Sequence, residues 1–150
     1  VRGEPLRYRD TRGLDESRPA FSEVILRGIA RGGGLFVPES LPRFTLDEIT
    51  ALADLPYAGR ARAIFERFAP DLPDDRLAGA LEGAYGGNFA DPAVAPVRTV
   101  GDGRFILELW HGPTLAFKDL ALQCLPRLFT GAVDGQRAEG RHGSEEHLIL

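Results

Sequence analysis

One cationic side chain in this sequence stands apart. Lys118 is the only lysine; every other permanently cationic side chain is arginine. A guanidinium stays protonated and is a poor nucleophile, whereas an amine that is partly desolvated can lose its proton and attack a carbonyl carbon to form a Schiff base. Position 118 is where the chain keeps the side chain capable of that chemistry. Its surroundings read Trp110-His111-Gly112-Pro113-Thr114-Leu115-Ala116-Phe117-Lys118-Asp119. The plain alternative is a solvated Lys118–Asp119 pair at a helix start, where charges are common, and spacing alone favours that alternative.

The elements that must position Lys118 follow from the local pattern. Arg104 to Trp110 reads as a short apolar strand. His111-Gly112-Pro113 breaks it with turn chemistry, and Thr114 is placed to cap a helix with Lys118 in its first turn. The positive end of that helix, and apolar cover from Leu115, Ala116 and Phe117, would both favour a neutral amine. Beyond the lysine, Phe117, Leu120, Ala121, Cys124, Leu125 and Leu128 recur at helical spacing, and Leu122 and Phe129 add a second apolar side, so this helix is expected to be buried. Pro126 should kink or end it. Cys124, the sole cysteine, falls on the apolar stripe and reads as a small core residue, not a nucleophile. Gly131 to Ser144 reads as a polar loop. His142 and His147 have no paired spacing with other ligands, so no metal site is expected.

The motif His111-Gly112-Pro113-Thr114-Leu115-Ala116-Phe117-Lys118-Asp119 resembles the lysine motif of threonine synthases. A second, longer run agrees: Phe21-Ser22-Glu23-Val24-Ile25-Leu26-Arg27-Gly28-Ile29-Ala30, then Gly33-Gly34-Leu35-Phe36-Val37-Pro38-Glu39, is similar to the amino-terminal domain of that family. Tyr8-Arg9-Asp10-Thr11-Arg12-Gly13 adds a weaker match. The resemblance implies a pyridoxal 5'-phosphate (PLP) enzyme that converts O-phospho-L-homoserine and water to L-threonine and phosphate. It implies that Lys118 carries the cofactor, that Phe117 and Asp119 flank and orient it, and that His111 and Thr114 line the cofactor pocket. For the last two, a turn residue and a helix cap are equally good readings. The family loop that cups the cofactor phosphate follows a strand like Leu148-Ile149-Leu150 and is absent from these 150 residues, so a truncated, inactive piece is the expectation. Two rivals remain: a threonine synthase-like phospho-lyase, and a non-catalytic remnant or interaction module.

Composition sets the outer bounds. The chain suits one domain, or a small domain and the start of another. A net charge of -4 gives no basic surface for nucleic acid. No apolar run is long enough to span a membrane, the N-terminus lacks a signal-peptide core, and one cysteine excludes an internal disulfide, so the expectation is a cytoplasmic protein. Helix and strand patterns alternate, which favours α/β. Phe21 to Ile29 reads as a helix with Val24, Ile25, Leu26 and Ile29 buried, stopped by Gly32-Gly33-Gly34. Leu35-Phe36-Val37-Pro38 follows as a strand. Thr45 and Glu48 form a capping box. Ala58 to Ala69 is a helix with Ile64, Phe65 and Phe68 on one face and Arg60, Arg62 and Arg67 on a solvated one. Asp74 caps a further helix with Leu77 and Leu81 inward, ended by Gly86-Gly87-Asn88. Val97–Val100 and Arg104–Trp110 form a hairpin with a three-residue loop. The expected organisation is a small mixed α/β amino-terminal domain over 1–93, then, on the resemblance, the truncated start of a PLP-binding, fold-type II α/β domain over 94–150. The apolar last helix would then promote self-association.

Overall fold

The computed structural model describes residues 6–138 and Gly140. Strand β1 (Tyr8–Asp10) pairs antiparallel with β2 (Phe36–Pro38), Tyr8 opposite Pro38 and Asp10 opposite Phe36. Between them lies α1 (Phe21–Arg27). This helix stops earlier than its apolar pattern suggests: Gly28 takes φ 67° and donates its N–H to the Val24 carbonyl at 2.9 Å. Glycine reaches that left-handed conformation without a Cβ penalty, so the C-cap forms one turn before the Gly32–Gly34 run. Ile29, expected inside, is 61% exposed as a result.

Ala20 precedes α1 and has no side chain to cap it. The cap comes from far along the chain: the Asp71 carboxylate accepts the N–H groups of Phe21 at 3.2 Å and Ser22 at 2.9 Å. A carboxylate also suits the positive end of a helix.

Helix α2 (Leu46–Ala53) opens on the expected capping box, in which Glu48 N–H reaches Thr45 Oγ1 at 3.2 Å and Thr45 N–H reaches Glu48 Oε2 at 2.8 Å. Helices α3 (Tyr57–Phe68) and α4 (Asp74–Tyr85) follow. On α3, Phe65 packs against the core and Arg62 pairs with Glu66 on the solvent side, but Ile64 is exposed. On α4, Leu77 and Leu81 are buried as their spacing predicts, each burial contributing about 1.5–3 kcal/mol.

The core joins these helices to the end of the described chain. Ala69, Leu72, Leu77, Ala80, Leu81 and Ala84 pack with Cys124 and Leu128, and Phe21, Ile25 and Phe65 close over them. Leu128 lies on α6 (Leu125–Ala138), which packs on both α1 and α4. One expectation holds and one needs correction here. The helix after the lysine motif ends at Leu122, ahead of Pro126, and a new one starts at Leu125 with Pro126 in its first turn, where its missing N–H costs nothing. The reading of Gly131–Ser144 as loop fails over its first part, because α6 continues through Ala138. Two helical glycines cost about 1 kcal/mol each, and burial of Leu128, Ala132 and Val133 on the same helix outweighs that. His142, His147 and the expected strand at 148–150 lie outside the described residues.

Strands β3 (Val97–Gly101) and β4 (Arg104–Leu107) form the expected hairpin, with β3 one residue longer, β4 three shorter and the loop tighter than predicted. A bulge between Thr99 and Gly101 pairs Gly101 with Arg104, which leaves Asp102-Gly103 as a two-residue loop. Both loop residues have positive φ, 50° and 70°, as an Asp-Gly hairpin turn requires. Among the described residues, the small two-stranded sheets and six helices make a mixed α/β fold.

Candidate active site

From β4 the chain runs extended through Trp110 into a turn, and a short helix α5 (Asp119–Leu122) follows. Thr114 is not its N-cap. Residues 112–118 form successive turns, with Leu115 at φ 60°, and Lys118 itself occupies the cap position. Asp119 explains why. Its carboxylate, 1% exposed, accepts Thr114 N–H at 2.8 Å and Thr114 Oγ1–H at 2.8 Å. The residue predicted to accept from a helix start thus donates forward to Asp119, and the turn closes on itself before a helix can start.

Gly112 makes this closure possible. A Cβ there would stand 2.4 Å from Asp119 Cβ and 2.5 Å from Asp119 Oδ2. Such distances are far inside van der Waals contact. The glycine is needed for space, not for an unusual backbone angle.

The five residues singled out from sequence therefore separate into distinct environments. Lys118 is exposed. Phe117 is 64% exposed and Leu115 72%, so neither covers the amine as expected. Asp119 points inward to Thr114, and among the described residues it forms no ion pair with Lys118. Thr114 and Asp119 are brought together. His111 turns to a residue the sequence reading passed over: its Nε2 lies 2.7 Å from Glu108 Oε2, both side chains half-buried.

Glu108 was hidden inside a run read as apolar strand. Strand pairing ends at Leu107, and the Glu108 backbone N–H bonds to the Pro96 carbonyl at 2.9 Å. The Arg98 guanidinium stands between Glu108, at 3.6 Å, and Asp91, at 3.1 Å. The available signal was a lone acidic residue three positions before a histidine, at the end of an apolar run.

Helix α5 is tied down from α4. Tyr85 donates its hydroxyl to the Leu120 carbonyl at 2.8 Å, and the Asn88 amide donates to Gln123 Oε1 at 3.0 Å. Burial, with Cys124 alongside, pushes the Tyr85 phenol far above its usual range, so it stays a donor. Cys124 is 4% exposed and burial raises its thiol pKa, which fits the core role read from its spacing.

Chemically, the arrangement offers an accessible primary amine on a braced turn. It does not offer an anion cradle. Thr114 N–H is already taken by a carboxylate, whose charge would repel a phosphate. The donor set fits the carbonyl end of an aldehyde cofactor; a phosphate would have to be held elsewhere. Two clefts lie away from Lys118, one between α4 and α6 lined by Arg76, Arg127 and Asp134, the other by Asp15, Arg27 and Arg31.

Comparison with known proteins bears on the whole of this region. A family model described as Threonine synthase N terminus matches residues 7–85, more than half of the chain. Threonine synthase of Pseudomonas aeruginosa is 49% identical over 126 residues, which cover 82% of this chain and 26% of that protein. Threonine synthase-like 1 of Homo sapiens is 44% identical over 116 residues, 75% of this chain and 16% of that protein. The crystal structure of PLP-bound threonine synthase from Brucella melitensis superposes with a TM-score of 0.82 at 38% identity, over 89% of this chain and 28% of that one. Yeast threonine synthase superposes at 0.80 with 32% identity, over 97% and 29%. The chain thus spans under a third of the length of these relatives, and within that span it belongs to the threonine synthase family and carries its N-terminal region.

Proposed function

We propose that this chain is the amino-terminal part of a PLP-dependent threonine synthase, a lyase acting on O-phospho-L-homoserine and water to give L-threonine and phosphate in threonine biosynthesis. The observation that carries this reading is Lys118, the sole lysine, exposed on a turn braced by Thr114 and the buried Asp119 carboxylate. The 38%-identical PLP-bound relative supports the cofactor. When bound, PLP supplies an electrophilic carbonyl carbon and an electron-accepting ring. Lys118 would hold it through Nζ, and the free amine would take and return protons at that atom. Asp119 and Thr114 fix the turn that presents Nζ. His111 and Phe117 flank the site. A small amino-terminal domain over 1–93 precedes the start of the PLP-binding domain at 94–150, and the protein works in the cytoplasm, without nucleic acid or membrane partners.

Reductive trapping tests the central claim. PLP and borohydride are added at neutral pH, and adducts at Lys118 and at the terminal amine are compared by peptide mapping beside Lys118→Arg. In the full-length protein an adduct is expected at Lys118 and is lost in Lys118→Arg. Label confined to the terminus there would sink the assignment.

The 150-residue chain alone is expected to release no phosphate from O-phospho-L-homoserine, since the turn offers no phosphate cradle. Exposed Phe105, Ile106, Leu107, Leu115 and Phe117 favour self-association of the chain, which sedimentation would detect. A second reading has its own support. The 44%-identical relative is named threonine synthase-like 1, and a threonine synthase-like phospho-lyase would eliminate phosphate without making threonine. Product identification with the full-length protein separates the two.

A further inference from the structure

The cluster around Glu108 has no role in the reading above, and its geometry is specific. A carboxylate accepts hydrogen bonds and donates none. Arg98 Nε stands 3.6 Å from Glu108 Oε1, an opposite charge beside the carboxylate. The 2.7 Å contact between Glu108 Oε2 and His111 Nε2 therefore needs its proton on Nε2. A neutral imidazole carries one N–H. We propose that Glu108 is a positioning residue that fixes His111 as the Nε2–H tautomer, leaving Nδ1 as a proton acceptor for an N–H or O–H group of an amino-acid substrate at the lysine turn. This deepens the reading of His111 as a site residue and rests on it.

Three further observations hold the ring in place. The His111 carbonyl accepts Ala90 N–H at 2.8 Å, so the backbone beneath the ring is anchored. The Trp110 ring lies 5.8 Å from the imidazole, centroid to centroid. Glu108 cannot swing away freely, because its backbone N–H is bonded to Pro96 and its side chain to Arg98, which Asp91 holds from the other side at 3.1 Å. Gly112, the next residue in the chain, packs on Asp119, so the His111 backbone leads directly into the lysine turn. A carboxylate that sets the tautomer of a histidine and leaves its other nitrogen basic is a recurring arrangement for proton transfer.

The test is the long-range proton–nitrogen NMR spectrum of the 15N-labelled chain, with the His111 signals assigned by their loss in His111→Gln. The expected pattern above the titration range is a single Nε2–H tautomer. In Glu108→Gln, which keeps the side-chain shape, the amide can accept or donate, and the ring is expected to become a mixture of both tautomers. Glu108→Asp, one methylene shorter and still an acceptor, should restore the Nε2–H form in part. An Nδ1–H ring in the wild-type chain, or no change in Glu108→Gln, overturns the proposal. Trapping at Lys118 is read separately: its failure removes the cofactor assignment and the substrate role of Nδ1 with it, whereas Lys118 trapped beside an Nδ1–H ring overturns the tautomer assignment alone.

Discussion

Gly112→Ala is the sharpest test of the lysine turn. The added methyl would meet Asp119 Cβ at 2.4 Å, Oδ2 at 2.5 Å and Cγ at 2.8 Å. Asp119 cannot step aside cheaply, since it is 1% exposed and its two oxygens hold Thr114. Three contributions set the size of the effect. Overpacking costs about 1–3 kcal/mol. Losing one hydrogen bond to a charged acceptor costs about 1.5–3 kcal/mol. Against these, alanine reduces the entropy of the unfolded chain and returns about 0.4–1 kcal/mol. The steric terms win, and a net loss of about 3 kcal/mol is expected, equivalent to roughly 6–12 °C in melting temperature for a chain of this size. Circular-dichroism melts and urea titrations measure it directly. Gly79→Ala is the control: that glycine lies in α4 with nothing within 4 Å of the new Cβ, so it should stabilise by about 0.5–1 kcal/mol. A Gly112→Ala chain as stable as the parent would refute the claim that the Asp119 carboxylate fills that space.

Further predictions follow from the packing. Asp71→Ala strips α1 of both its N-terminal acceptors and should cost about 1–2 kcal/mol in urea titrations; no loss would mean water caps α1 equally well. Burial, reinforced by the Asp71 charge, pushes the Tyr8 phenol from 10.0 to about 12. A raised pKa means the folded state keeps the proton longer, so this stability is present below pH 10 and is lost as pH rises toward 12. Tyr8→Phe should flatten that alkaline limb while forfeiting the 2.6 Å bond to the Phe68 carbonyl, about 1 kcal/mol at neutral pH. Cys124 should resist thiol reagents until denaturant opens the core; fast labelling of the native chain would contradict its burial.

Much of this structure was legible in the sequence where the signals are local. The Thr45–Glu48 box, the Leu77–Leu81 stripe and the Gly86 stop depend on residues three or four apart, and each forms as read. The errors share a different cause. Thr114 looked like a helix cap because its partner, Asp119, was taken to lie beside the lysine; the turn that joins them needs Gly112 packed on Asp119, a contact no periodicity announces. The glycines at 131 and 135 argued for loop, and burial of Leu128, Ala132 and Val133 on a helix packed against α1 and α4 prevailed. At the candidate site the lysine was legible because its residue type is unique. Glu108 was not, because an isolated carboxylate at the end of a strand acquires meaning only from the histidine and arginine that fold around it.

The bonds that complete the amino-terminal strand and helix have a consequence for how the chain is made. Tyr8 waits for the carbonyl of Phe68, and α1 waits for Asp71, across sequence separations of 60 and 49–50 residues. Synthesis is vectorial, and domains ordinarily begin folding from the end that emerges first. Here residues made earlier are satisfied only by partners made some 50–60 residues later. Such long closures slow folding, because the chain loses entropy before the contact rewards it. Proteolysis of stalled nascent chains should cut within residues 6–20 until the segment beyond Asp71 is free of the exit tunnel, and spare them afterwards; early protection would show that β1 and α1 order without their distant partners.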